Sequence, residues 1–112
     1  MPIDSSRLDD SEQLPVRPGT NKETVLSFLA ANPREAYSPS EVAEATGVNR
    51  NSVGTVLSRL ATDGLVRHRD GYWAVAETDA VAVFVEELRE LGEAAYDLAS
   101  DEVDALLRRI RG

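Results

Sequence analysis

The sequence predicts a mainly α-helical fold with a small β-hairpin, in which three short helices and the hairpin form a core and further helices follow it. Three observations carry this. Apolar residues recur at helical spacing in three short runs between residues 20 and 64, each opened by a capping residue and closed by glycine or Asn-Pro. The period then changes to alternation on either side of Asp70-Gly71, a strong two-residue hairpin signal. From residue 78 the helical period returns.

Taken in order, residues 1–18 hold Pro2, Pro15 and Pro18 among Ser, Asp and Glu without any period, and read as a mobile N-terminal arm. The first helix opens at Thr20, with Glu23 three residues on to complete a capping box. Val25, Leu26, Phe28 and Leu29 form its buried stripe, and Asn32-Pro33 ends it. Ser38, Pro39 and Glu41 open the second helix, which Gly47 stops in a left-handed turn. Asn49 caps the third, where Val53, Val56, Leu57 and Leu60 face inward and Gly64 ends the run. Two short helices joined by a tight glycine turn make a helix-turn-helix.

In the hairpin, Asp70-Gly71 pairs Arg69 with Tyr72, His68 with Trp73, Arg67 with Ala74 and Val66 with Val75. Val66, His68, Trp73 and Val75 share one face; Arg67, Arg69, Tyr72 and Ala74 share the other. The core therefore spans 19–76, and 77–112 is a helical extension. Thr78 or Asp79 caps a long helix whose stripe is Val81, Phe84, Val85, Leu88, Leu91, Ala95 and Leu98. Ser100 caps the last helix, with Asp101 and Glu102 in its first turn and Arg108, Arg109 and Arg111 in its last, each group complementing the helix dipole.

Composition narrows the function. A chain of 112 residues holds one compact domain and an appendage. No apolar run nears the ~20 residues of a membrane span, and Met1-Pro2-Ile3-Asp4 lacks the basic-then-apolar start of a secretory signal, so a cytoplasmic protein is expected. Cysteine is absent and His68 is the only histidine, so neither a metal nor a cofactor is expected. With no phosphate-cradling glycine loop and no paired acid and base, no enzyme is expected.

A net charge of −8 opposes a polyanionic partner. Its distribution does not. Residues 1–18 carry two bases and four acids, 19–76 six of each, and 77–112 four bases and ten acids. Lys22 is the only lysine. This acid-rich, lysine-poor, cysteine-free composition resembles that of extreme halophiles, where concentrated salt screens repulsion within a few ångströms.

The stretch Ser38-Pro-Ser-Glu-Val-Ala-Glu-Ala-Thr-Gly-Val-Asn-Arg-Asn-Ser-Val, followed by Leu57-Ser-Arg-Leu-Ala-Thr-Asp-Gly-Leu-Val and the basic hairpin, resembles the winged helix-turn-helix core of MarR-type (multiple antibiotic resistance) regulators. The resemblance covers residues 20–76. It implies a transcription regulator whose third helix enters the major groove of duplex DNA, with the hairpin as wing. Here the wing tip is only Asp70-Gly71, and the proline-bearing arm stands where that family has a helix.

A 100° step around the third helix then puts Asn51, Thr55, Ser58 and Thr62 on the side opposite the core, with Gly54 and Arg59 on its flanks and Arg50 in the N-terminal turn; of these, Arg50, Asn51, Gly54, Thr55 and Ser58 are the expected base readers. Asn51 suits adenine, Arg50 guanine and Thr55 a thymine methyl, while the small Gly54 suits close approach. Ser38, Ser40, Arg59, Arg67, Arg69 and Tyr72 are the expected backbone and wing contacts, the wing (65–76) on phosphates or an adjacent minor groove, with Lys22 and Arg34 as further phosphate candidates. His68 is expected as a packed wing residue and Trp73 as core. Val81, Phe84, Leu88, Leu91, Ala95 and Leu98 are expected as the seam of a homodimer, which would set two reading helices ~34 Å apart on a palindromic site; the alternative is that the tail helices fold back on their own domain. A small effector near Phe84 and Tyr96 is left open. The competing reading is a winged helix used as a protein-interaction module in a transcription or repair assembly.

Overall fold

The computed structural model describes residues 20–91 and 96–112. The expected arm at 1–18, and Ala95 of the expected seam, lie outside the described residues. Helix α1 (Asn21–Ala31) begins where Thr20 Oγ1 accepts the Glu23 N–H at 3.1 Å and ends where the Asn32 side-chain amide donates to the Phe28 carbonyl at 2.9 Å. Helix α2 (Pro39–Thr46) has the full capping box: Ser38 Oγ accepts the Glu41 N–H, and the Glu41 carboxylate accepts the Ser38 N–H at 2.8 Å. Gly47 stops it at φ +76°, a left-handed conformation that a side chain would strain. Helix α3 (Arg50–Thr62) starts on Asn49, whose side chain accepts the Asn51 N–H at 2.8 Å. Its end is closed by the Gly64 N–H on the Ala61 carbonyl and the Leu65 N–H on the Leu60 carbonyl, a Schellman pattern.

Strands β1 (Val66–Arg69) and β2 (Tyr72–Val75) pair antiparallel in the expected register, from Val66 with Val75 to Arg69 with Tyr72. Asp70 at φ +52° and Gly71 at φ +82° are the two positive-φ residues of a type I′ turn. Tyr37 adds a bridge absent from the sequence reading: its N–H donates to the Trp73 carbonyl at 2.9 Å, and the Trp73 N–H returns to the Tyr37 carbonyl at 2.8 Å. The segment before α2 thereby anchors the second strand of the hairpin at Trp73.

Helix α4 (Asp79–Leu91) starts on Thr78, whose hydroxyl accepts the Val81 N–H and donates to the Gly64 carbonyl at 2.8 Å, tying α4 to the end of α3. Helix α5 (Asp101–Arg111) starts on Ser100, with acids in its first turn and arginines in its last. No described helix is long and apolar enough to cross a membrane.

The core is built around α1. Six successive residues, Val25 to Ala30, are buried, so this helix has no solvent face along that stretch. Helices α2 and α3 and strand β2 pack on it, and so do α4 and α5. Phe28 contacts Tyr37 and Tyr96, with ring centroids at 4.7 and 5.6 Å, and the Tyr96 hydroxyl donates to the Ala45 carbonyl.

This arrangement corrects the expected tail. The long helix running to Leu98 is not found: Leu98 lies in a turn, preceded by Asp97, whose side chain accepts the Ala99 N–H. Val81, Leu88 and Leu98 of the expected intermolecular seam are buried in the chain's own core, and Phe84 is half-buried against it. Of the described seam residues only Leu91 stands exposed, at 54%, joined on α4 by Val83 at 47%. The reason is physical. The core offers α1 as a further apolar surface, and the stripe of α4 covers it.

Two predictions follow from α1. Ser27 is fully buried and its hydroxyl has no hydrogen-bond partner. Ser27→Ala removes that unmet polar group and improves helix propensity, so chemical denaturation should show a gain of about 1 kcal/mol. Burial raises the Glu23 carboxyl above its ordinary range. An acid raised in this way holds its proton more tightly when folded, so it favours folding below the carboxylate range and loses that contribution as pH rises through it. Urea melts should therefore show Glu23→Gln gaining on the wild type with rising pH.

Candidate functional site

Helix α3 divides cleanly. Val53, Val56, Leu57 and Leu60 are buried against α1, α2 and β1. A helix docked through one stripe presents its opposite side outward. Asn51, Thr55, Ser58, Arg59 and Thr62 are exposed, as is Arg50 at the first turn, with Gly54 half-exposed between them. These seven residues and Trp73 of the hairpin line one open groove of about 670 Å³. All five expected base-reading residues are thus brought together.

Trp73 is the lining residue that sequence reasoning missed. It was expected as core, and it is indeed only 8% exposed, yet it forms the hairpin wall of the groove. The available signal was its cross-strand partner. His68 stacks on Trp73 with ring centroids 3.9 Å apart and planes 8° from parallel. The imidazole itself stays exposed, so it covers the indole without entering the core.

The expected phosphate contacts separate into two groups. At the start of α2 the capping box takes up the amides of Ser38 and Glu41, and Pro39 has none, so of the amides at 38–41 only that of Ser40 is left. The Glu41 carboxylate also sits at this helix terminus. Ser38 therefore serves its own helix. Ser40 instead accepts a hydrogen bond from Arg50 Nε at 3.1 Å, which bridges α2 to α3 while Arg50 lines the groove. On the hairpin, Arg67, Arg69 and Tyr72 are exposed on the face opposite Trp73. They line a second depression of about 450 Å³ with Ala36, His68 and Ala74.

The charges are partitioned as well. Three arginines of the extension are held by carboxylates: Arg89 by Asp104 at 2.8 Å, Arg109 by Glu77 at 2.9 Å, and Arg111 by Glu86. Lys22, proposed for phosphate, reaches Asp63 at 3.3 Å. Arg50, Arg59, Arg67 and Arg69 have no carboxylate partner among the described residues. No group of three or more acidic or histidine side chains among the described residues could hold a metal ion.

Residues 24–71, from α1 to the hairpin turn, match the model of the MarR family. No curated protein and no solved structure matches the chain.

The stack of His68 on Trp73 can be read directly, because Trp73 is the only tryptophan. His68→Ala should uncover the indole, shift its emission to longer wavelength, increase quenching by acrylamide and cost about 1 kcal/mol of stability.

Proposed function

We propose that this MarR-like winged-helix chain is a cytoplasmic transcription regulator that binds duplex DNA sequence-specifically, with α3 in the major groove and the hairpin on the flanking backbone. The observation that carries this reading is the open groove along α3. It combines Asn51, Thr55 and Ser58, which suit base edges, with the guanidinium groups of Arg50 and Arg59 at its ends. The unpaired state of Arg67 and Arg69 supports phosphate contact, because an arginine already held by a carboxylate has little left to offer a second anion.

The acid-rich extension is compatible with this partner. Three of its ten carboxylates, those of Asp104, Glu77 and Glu86, pair with Arg89, Arg109 and Arg111, while residues 19–76 balance to zero charge. The regulator is proposed to act as a homodimer. Since Val81, Leu88 and Leu98 are already covered, the contact would use the outer face of α4, where Val83 and Leu91 stand exposed.

The test is selection of bound sequences from a random duplex pool at several KCl concentrations. Wild type should enrich a defined site, arranged as an inverted repeat if two chains bind together. Asn51→Ala should lose about 1–3 kcal/mol of discrimination at one base pair. Arg67→Ala and Arg69→Ala should leave the preferred sequence unchanged and each lower the slope of log affinity against log salt by about 0.9. No enrichment by wild type would overturn the reading in favour of a protein-interaction module.

A further inference from the structure

Gly54 lies within α3, among the residues that line the groove. Its φ is not positive, so the backbone does not require glycine there. Among the described residues, no atom outside its own stretch of helix lies within 4 Å of the place a Cβ would occupy, so none of these neighbours requires glycine either. Glycine in a helix interior is unfavourable relative to alanine. The fold gains nothing from it, and the gap opens into the groove.

The chemistry of the gap limits what can fill it. As the fifth residue of α3, Gly54 commits its N–H to the Arg50 carbonyl within the helix, so no backbone donor is left for a phosphate. What remains at the surface is the Cα with its hydrogens, an apolar contact. On the major-groove edge of duplex DNA the apolar group is the 5-methyl of a pyrimidine.

We propose that the gap at Gly54 receives the 5-methyl group of a pyrimidine in the bound duplex, carried by thymine or by 5-methylcytosine, and that Gly54 is therefore a specificity-determining residue. The inference rests on α3 being the reading helix. The neighbours favour thymine: Asn51, three residues earlier on the same face, suits adenine, and Thr55 adds a methyl of its own beside the gap. An alanine at 54 would put a protein methyl where the base methyl belongs.

The experiment exchanges one methyl for another. A site is first selected with the wild type from a random unmethylated duplex pool. Wild type and Gly54→Ala are then titrated with that site, with each thymine in turn replaced by uracil and each cytosine by 5-methylcytosine. Gly54→Ala should melt about 5 °C above the wild type, which excludes misfolding as a cause. It should nonetheless bind the selected site about tenfold more weakly. At one thymine, uracil should weaken the wild type and bring Gly54→Ala level with it. If the source is methylcytosine, methylation of one cytosine should strengthen the wild type and not the variant. Equal affinity of the two proteins for the selected site that no cytosine methylation separates, or a ratio that no methyl change alters, would overturn the role of Gly54 and leave α3 as the reader. Failure of the wild type to select any site would overturn the reading helix, and this inference with it.

Discussion

A helix with no solvent face is the constraint on which the rest of this structure depends. From Val25 to Ala30, α1 buries every side chain, and a single layer of neighbours cannot cover a helix on all sides. The helix-turn-helix and hairpin supply part of the cover, and α4 and α5 supply more. The extension is therefore a wall of the same core. Its ion pairs, all partly exposed, add little beside that burial.

The groove is the outward counterpart of the same packing. Once Val53, Val56, Leu57 and Leu60 are committed to the core, the rotation of α3 is fixed, and so is the set of side chains on its far side. The extension then draws acids and arginines together among themselves. The four arginines around α3 and the hairpin are left without such partners in the described residues. A chain that is acidic overall can thus offer a local surface with no carboxylate neutralising its guanidinium groups.

Legibility in the sequence followed the range of each signal. The hairpin register was readable residue by residue, since Asp70-Gly71 admits one tight turn and that turn sets every pair behind it. Caps at Ser38, Asn49 and Ser100 were equally local and equally readable. The face of α3 followed from its period. Periodicity shows which side of a helix is apolar, however, and is silent on what covers it. That is why the stripe through Val81, Leu88 and Leu98 suggested a second chain, although α1 of the same chain lies beneath it. The Tyr37 bridge had no period at all, being one residue long, and Trp73 concealed its place in the groove because it is core and wall at once.

The bridge between Tyr37 and Trp73 has a thermodynamic meaning. A bare two-stranded ribbon is marginally stable in water and samples many orientations about its base. Here two further backbone hydrogen bonds clamp its second strand to the segment ahead of α2, and the indole so held is the one facing α3. Ribbon and helix would therefore meet any partner as a preorganised pair of jaws, their mutual angle set during folding. The ordering entropy that a loose ribbon would lose on contact has already been lost, which leaves more of each contact's free energy for binding.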